Sequence, residues 1–169
     1  MKRTMVLWIS EGVYHEDLRL AIPLITNVGF ATDRAESIKE AIHDLEFSER
    51  PDVIVIGRVV LSTERYPERK RKKDRTVWEK ANEKGNPLRI ELVKWLLGTP
   101  DALEQIGEAK KFDPKQILVY GSLRDDEEKI LRNMGIENVV IIESNDSLVI
   151  LNALRKMVAS NQEQPLPAE

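Results

Sequence analysis

The chain has 169 residues, 41% apolar and 33% charged, enough for one packed core beneath a strongly charged surface. A formal net charge of −3 supplies no global field for nucleic acid or anionic membrane, so any such binding needs a local patch. The absence of cysteine excludes disulfides, thiolate metal sites and cysteine nucleophiles.

In "MKRTMVLWIS", basic residues precede an apolar run of only about five residues, shorter than a signal-peptide core of ~7–15. No segment approaches the ~20 apolar residues of a membrane span. The expectation is a soluble cytoplasmic protein. Met5 to Ile9 reads as a strand buried on both faces. Leu18, Ile22, Ile25 and Val28 recur at helical spacing, with Pro23 as a kink. After Gly29, Phe30 to Thr32 is a short strand. Ser37 and Glu40 fit a capping box, and Ile38, Ala41, Ile42 and Leu45 form one apolar stripe behind it. Pro51 introduces a third strand, Val53 to Ile56, which ends on Gly57.

From about residue 62 to residue 87 the sequence is charged, punctuated by proline and poor in aliphatics. Helical patterning restarts at Leu88 to Leu97, and a further helix is expected over about residues 100–111. Ile117 to Tyr120 is the fourth strand, "GSLRDDEEKILRNMG" a helix closed by Gly135, and Val139 to Ile142 the fifth strand. Leu148, Leu151, Leu154 and Val158 mark the last helix, and residues 159–169 read as a disordered tail. Five aliphatic strands separated by helices predict an α/β domain over 1–158, an open parallel sheet in the order 2-1-3-4-5. Function in such sheets lies beyond the strands' carboxyl ends, here at Ser10-Glu11, Gly57-Arg58, Gly121-Ser122 and Ile142-Glu143.

Several segments carry a family pattern: "TMVLWISEG", "AESIKEAIHDL", "ERPDVIVIG", "KQILVYGS" and "MGIENVVII". Together they resemble a response-regulator receiver domain, over about residues 4–158 apart from the charged insertion. The resemblance implies the flavodoxin/CheY-like three-layer sandwich, with the insertion between strands 3 and 4. In receivers, two acids after strand 1 and an aspartate ending strand 3 hold Mg²⁺, and that aspartate accepts a phosphoryl group. A Thr or Ser ending strand 4 and a Lys ending strand 5 contact the phosphoryl oxygens. Carried onto this chain, the acids fall on Ser10 and Glu11, the phosphoacceptor on Gly57, the hydroxyl on Gly121 (Ser122 with a one-residue slip) and the lysine on Ile142. Only Glu11 keeps its chemistry. Asp52 is no substitute, because it precedes the apolar run and falls at the opposite end of strand 3.

Other features offer chemistry of their own. The run "ERYPERKRKKDR" has seven basic and three acidic residues, a local charge of +4. Arg69, Lys70, Arg71, Lys72, Lys73 and Arg75 could neutralise phosphates or an acidic partner, with Tyr66 and Trp78 available to stack on bases; the plainer alternative is a solvated loop. His15-Glu16-Asp17 could form a metal or acid–base site, but reads more simply as a helix start. His43 falls on the polar face of its helix. Gly121-Ser122 before a helix could bind an anion, as any strand–helix junction could. Val149, Ile150 and Met157 lie off the expected core stripe and suggest an interface. Neither phosphate-cradling glycine motif nor nucleophile elbow is present.

The sequence therefore predicts a non-enzymatic pseudo-receiver with no cofactor, acting by phosphorylation-independent contact with a protein partner or a second copy of itself. A nucleic-acid-associated regulator using the basic insertion is the first alternative. A flavodoxin-like protein binding a small ligand or nucleotide is the second.

Overall fold

The computed structural model describes residues 3–11, 29–60, 88–99, 108, 110–142 and 147–163. In chain order the elements are β1 (Thr4–Ile9), β2 (Phe30–Ala35), α1 (Ile38–Phe47), β3 (Val53–Ile56), α2 (Leu88–Leu97), a 3-10 turn (Pro114–Gln116), β4 (Ile117–Gly121), α3 (Asp125–Asn133), β5 (Val139–Ile141) and α4 (Ser147–Glu163). The strands form one parallel sheet in the order β2-β1-β3-β4-β5, as the alternation of aliphatic runs and helices predicts. Each central strand is apolar on both faces because each face is covered. Leu7, Ile9, Ile54, Ile56, Ile117 and Val119 pack beneath α1, α2 and α3. Val6, Trp8, Val53, Val55, Leu118 and Tyr120 pack against α4 on the other side.

At the amino edge, Asp52 joins β3 to β1. Its carboxylate accepts the Met5 amide at 2.8 Å, and its own amide donates to the Met5 carbonyl at 2.9 Å. Asp52 thus lies at the far end of β3 from Gly57, as expected. Gly135, at φ +89°, closes α3 in the left-handed conformation that favours glycine.

Four details depart from the sequence expectation. β2 runs to Ala35 rather than Thr32, because all six of its residues pair with β1 and the polar Asp33 and Arg34 are tolerated as exposed positions on an edge strand. Lys110 and Lys111 are not helical. The amides of Lys110 and Phe112 instead donate to the carbonyls of Trp95, which also accepts the Gly98 amide, and Leu96 in the last turn of α2; residues 100–107 of the expected helix lie outside the described residues. The buried stripe of α4 is Ile150, Leu151, Leu154 and Met157, with Leu148 exposed. α4 also continues through residues 159–163, where no proline or glycine stops it and the Asn161 amide donates to the Lys115 carbonyl at 3.0 Å. The first expected helix and the charged insertion fall outside the described residues. Among those described, no helix is long and apolar enough to cross a membrane.

The Ser37 hydroxyl accepts the Glu40 amide at 3.1 Å, and the Glu40 carboxylate reaches back to the Glu36 amide at 3.2 Å. Loss of this cap in Ser37→Ala is expected to cost about 1 kcal/mol, measured as a lower urea midpoint at unchanged m-value.

Candidate functional site

The parallel register brings the strands' carboxyl ends side by side, with Ile9 beside Ile56, Ile56 beside Val119, and Gly121 beside Ile141. Backbone hydrogen bonds continue past the strands. The Gly57 amide donates to the Ile9 carbonyl at 2.9 Å, the Glu11 amide to the Arg58 carbonyl at 2.6 Å, and the Ile142 amide to the Gly121 carbonyl at 3.1 Å. Ser10, Glu11, Gly57, Gly121 and Ile142 therefore share one edge, where the sequence places them.

Gly57 is buried, and the space its side chain would need is occupied. A Cβ there would lie 2.5 Å from the Tyr120 hydroxyl oxygen, 2.6 Å from Tyr120 Cζ and 2.7 Å from Ser10 Oγ. Real Cβ atoms do not approach that closely, so no side chain fits without moving the tyrosine. Tyr120 is in turn held in place. Its hydroxyl accepts the Trp8 indole N–H at 2.9 Å, and the two rings meet edge to face at 5.7 Å. Burial raises the Tyr120 phenol above its ordinary value, while hydrogen bonds with Ser10 and Trp8 and the charge of Arg89 pull partly the other way. The hydroxyls that face Gly57 thus belong to Tyr120 and Ser10, and not to position 121 or Ser122. Gly121 carries no side chain, and Ser122 is exposed beyond the end of β4.

Above this packing sits Arg89, from the first turn of α2, with a side chain only 10% exposed. Its Nε pairs with the Glu127 carboxylate of α3. Nη1 donates to the carbonyls of Gly57 at 3.0 Å and Tyr120 at 3.4 Å, and Nη2 to the Ser122 carbonyl at 3.3 Å. The guanidinium fork thereby joins the exits of β3 and β4 to the start of α3.

These residues do not fit a divalent cation. Ser10 offers a hydroxyl and Gly57 no side chain, its carbonyl being engaged by Arg89. Glu11, the acid at this edge, pairs with Arg58 at 3.3 Å, and the Arg89 charge stands beside the same edge. Among the described residues, no three His, Asp or Glu side chains gather closely enough to hold a metal ion. The junction of Gly121 and Ser122 is also poorly suited to anions, because Asp125, Asp126, Glu127 and Glu128 fill the first turn of α3.

Of the expected interface residues, Val149 is exposed, but Ile150 and Met157 are 0% and 3% exposed and belong to the core. The stripe of α4 is rotated from the one counted in the sequence, which turns Leu148 outward and these two residues inward. His43 is exposed and stacks on Phe47, with ring centres 4.7 Å apart. The basic residues Arg69, Lys70, Arg71, Lys72, Lys73 and Arg75, and the His15-Glu16-Asp17 cluster, lie outside the described residues. Sequence reasoning missed Trp8, Tyr120, Arg89 and Glu127. A charged residue inside the apolar helix "LRIELVKWLL" was the one available signal, since Arg in a first turn opposes the helix dipole and needs a compensating partner.

No family model matches the sequence, and no curated protein matches it either. Solved structures do match. A CheY-like response regulator receiver domain protein from Methanospirillum hungatei JF-1 is similar at a TM-score of 0.58 and 9% identity, over 96% of this chain and 99% of its own. A response regulator receiver protein from Pseudomonas putida gives 0.55 and 13%, over 92% and 98%. The signal receiver domain of a histidine kinase from Syntrophus aciditrophicus gives 0.52 and 17%, over 97% of each chain. The shared feature is the fold, the same five-stranded sandwich.

Gly57→Ala is expected to destabilise the protein by about 1–3 kcal/mol in chemical unfolding. The double variant Gly57→Ala/Tyr120→Leu is expected to lose about 1 kcal/mol less than the two single losses added together, because the smaller residue vacates the contested volume. Tyr120 also makes stability depend on pH. Its raised value means that the folded state keeps the phenol proton after the unfolded state has begun to lose it, so stability falls as pH rises above the ordinary value of 10.0. That part of the alkaline loss is expected to be missing from unfolding curves of Tyr120→Phe.

Proposed function

We propose that this receiver-like domain acts as a regulatory docking module in signalling, binding a protein partner without phosphorylation and without catalysis. One observation carries the proposal: the position at which receivers hold their phosphoacceptor is a glycine whose side-chain volume is filled by Tyr120 and Ser10. A carboxylate nucleophile has no room there, and the surrounding edge offers Arg89 where metal chemistry would need clustered acids. The fold is preserved around that filled volume, and what remains for it to do is to present a surface.

The surface we favour is where β5 meets the start of α4. Ile141, Leu148 and Val149 are 53%, 61% and 39% exposed on these two neighbouring elements. Large aliphatics left at the surface of adjoining elements suit the apolar centre of a protein interface. Ile150 and Met157 are buried in the core and take no part in it.

Incubation with acetyl phosphate and Mg²⁺ is expected to leave the intact mass unchanged. A stoichiometric, hydroxylamine-labile phosphoryl adduct would sink the phosphorylation-independent reading. In affinity capture from the native host, Leu148→Asp/Val149→Asp is expected to lose the protein that wild type retains, while keeping its unfolding midpoint. Equal capture by both proteins would exclude this face.

A further inference from the structure

We infer that the Arg89 guanidinium is a built-in cation for the carboxyl edge of the sheet, one that holds the exits of β3 and β4 and the start of α3 together without a metal ion. This builds on the docking proposal, to which it adds a reason for a fixed edge, but it stands on separate observations.

Four acceptors from three separate segments converge on one side chain. Glu127 supplies a carboxylate to Nε, Gly57 and Tyr120 supply carbonyls to Nη1, and Ser122 supplies a carbonyl to Nη2. Such a set of oxygens repels itself when buried, unless a cation stands among them. A guanidinium suits the place: it stays charged at every accessible pH, it is weakly hydrated, and its planar fork meets several oxygens at once. It is also covalently tethered. Arg89 is set by α2, whose Leu88, Ile90, Leu92, Val93, Trp95 and Leu96 are all buried, so its local concentration does not depend on any ion in solution.

α3 shows the complementary arrangement. Of the four acids in its first turn, Asp125 and Asp126 are exposed, whereas Glu127 turns inward and is 3% exposed. The inward carboxylate neutralises the guanidinium and ties α3 to α2. Each guanidinium nitrogen donates to the protein, so the cation binds the edge internally.

Amide hydrogen exchange by NMR tests this in Arg89→Met. The Glu11 and Ile142 amides close the carboxyl edge, whereas the Asp52 amide closes the opposite edge. The first two are expected to exchange faster by roughly tenfold more than Asp52 does. Equal acceleration at all three, or none, would overturn the inference. If that variant does not fold, Glu127→Gln, which removes the charge and keeps the shape, is judged by the same amides. Millimolar Mg²⁺ titrated into the wild type is expected to cause no saturable shift at Glu11, Gly57 or Ser122, and such a shift would also overturn it. None of these readouts depends on a partner, so failure of the docking proposal would leave them unchanged.

Discussion

Two residues from neighbouring strands compete for one volume at the carboxyl end of the sheet, and Tyr120 has it. The ring stands over Gly57 with its hydroxyl 2.9 Å from the Trp8 indole nitrogen, so β1, β3 and β4 meet at a single polar point inside an apolar layer. The arrangement is rigid for an ordinary reason. A buried phenol needs a partner, a buried indole N–H needs an acceptor, and each supplies the other. The absence of a side chain at Gly57 is therefore a condition of the packing, and the backbone there is left to pair with Ile9 on one side and Arg89 on the other.

Arg89 and Glu127 extend the same logic from the strands to the helices. An isolated guanidinium at this depth would be costly, and an isolated carboxylate equally so, but each is paired and further hydrogen bonds satisfy the fork. α2, from which the arginine comes, is buried almost all the way round, with Glu91 fully buried as well. A helix so placed cannot slide without disturbing the core beneath the sheet, and this gives the guanidinium a fixed address.

Much of the fold was legible because parallel strands covered on both faces are written as unbroken aliphatic runs. Val53 to Ile56 and Ile117 to Tyr120 could hardly be anything else, and their order followed from right-handed crossovers. β2 was legible only in its first half, since an edge strand tolerates Asp33 and Arg34 and so hides its length. In α4 the helix was legible but not its rotation. Leu148 and Ile150 are both aliphatic, and only the packing against Val55, Leu118 and Tyr120 decides which of them faces inward. At the candidate site the edge positions followed from the strand ends alone. The residues that fill it did not, because Trp8, Tyr120 and Arg89 come from three segments far apart in sequence, and no local pattern joins them.

The filled pocket also shapes what this chain can become by single substitutions. A carboxylate at position 57 cannot be accommodated while Tyr120 stands there. Shrinking Tyr120 first leaves a void between three strands and removes the acceptor of a buried indole. Either order of change begins with a loss of stability, from crowding at position 57 or from a void and an unpaired indole N–H beside it. The sheet edge is in this sense a lock with two keys: the packing that holds Tyr120 over Gly57 makes each substitution costly while the other residue is unchanged.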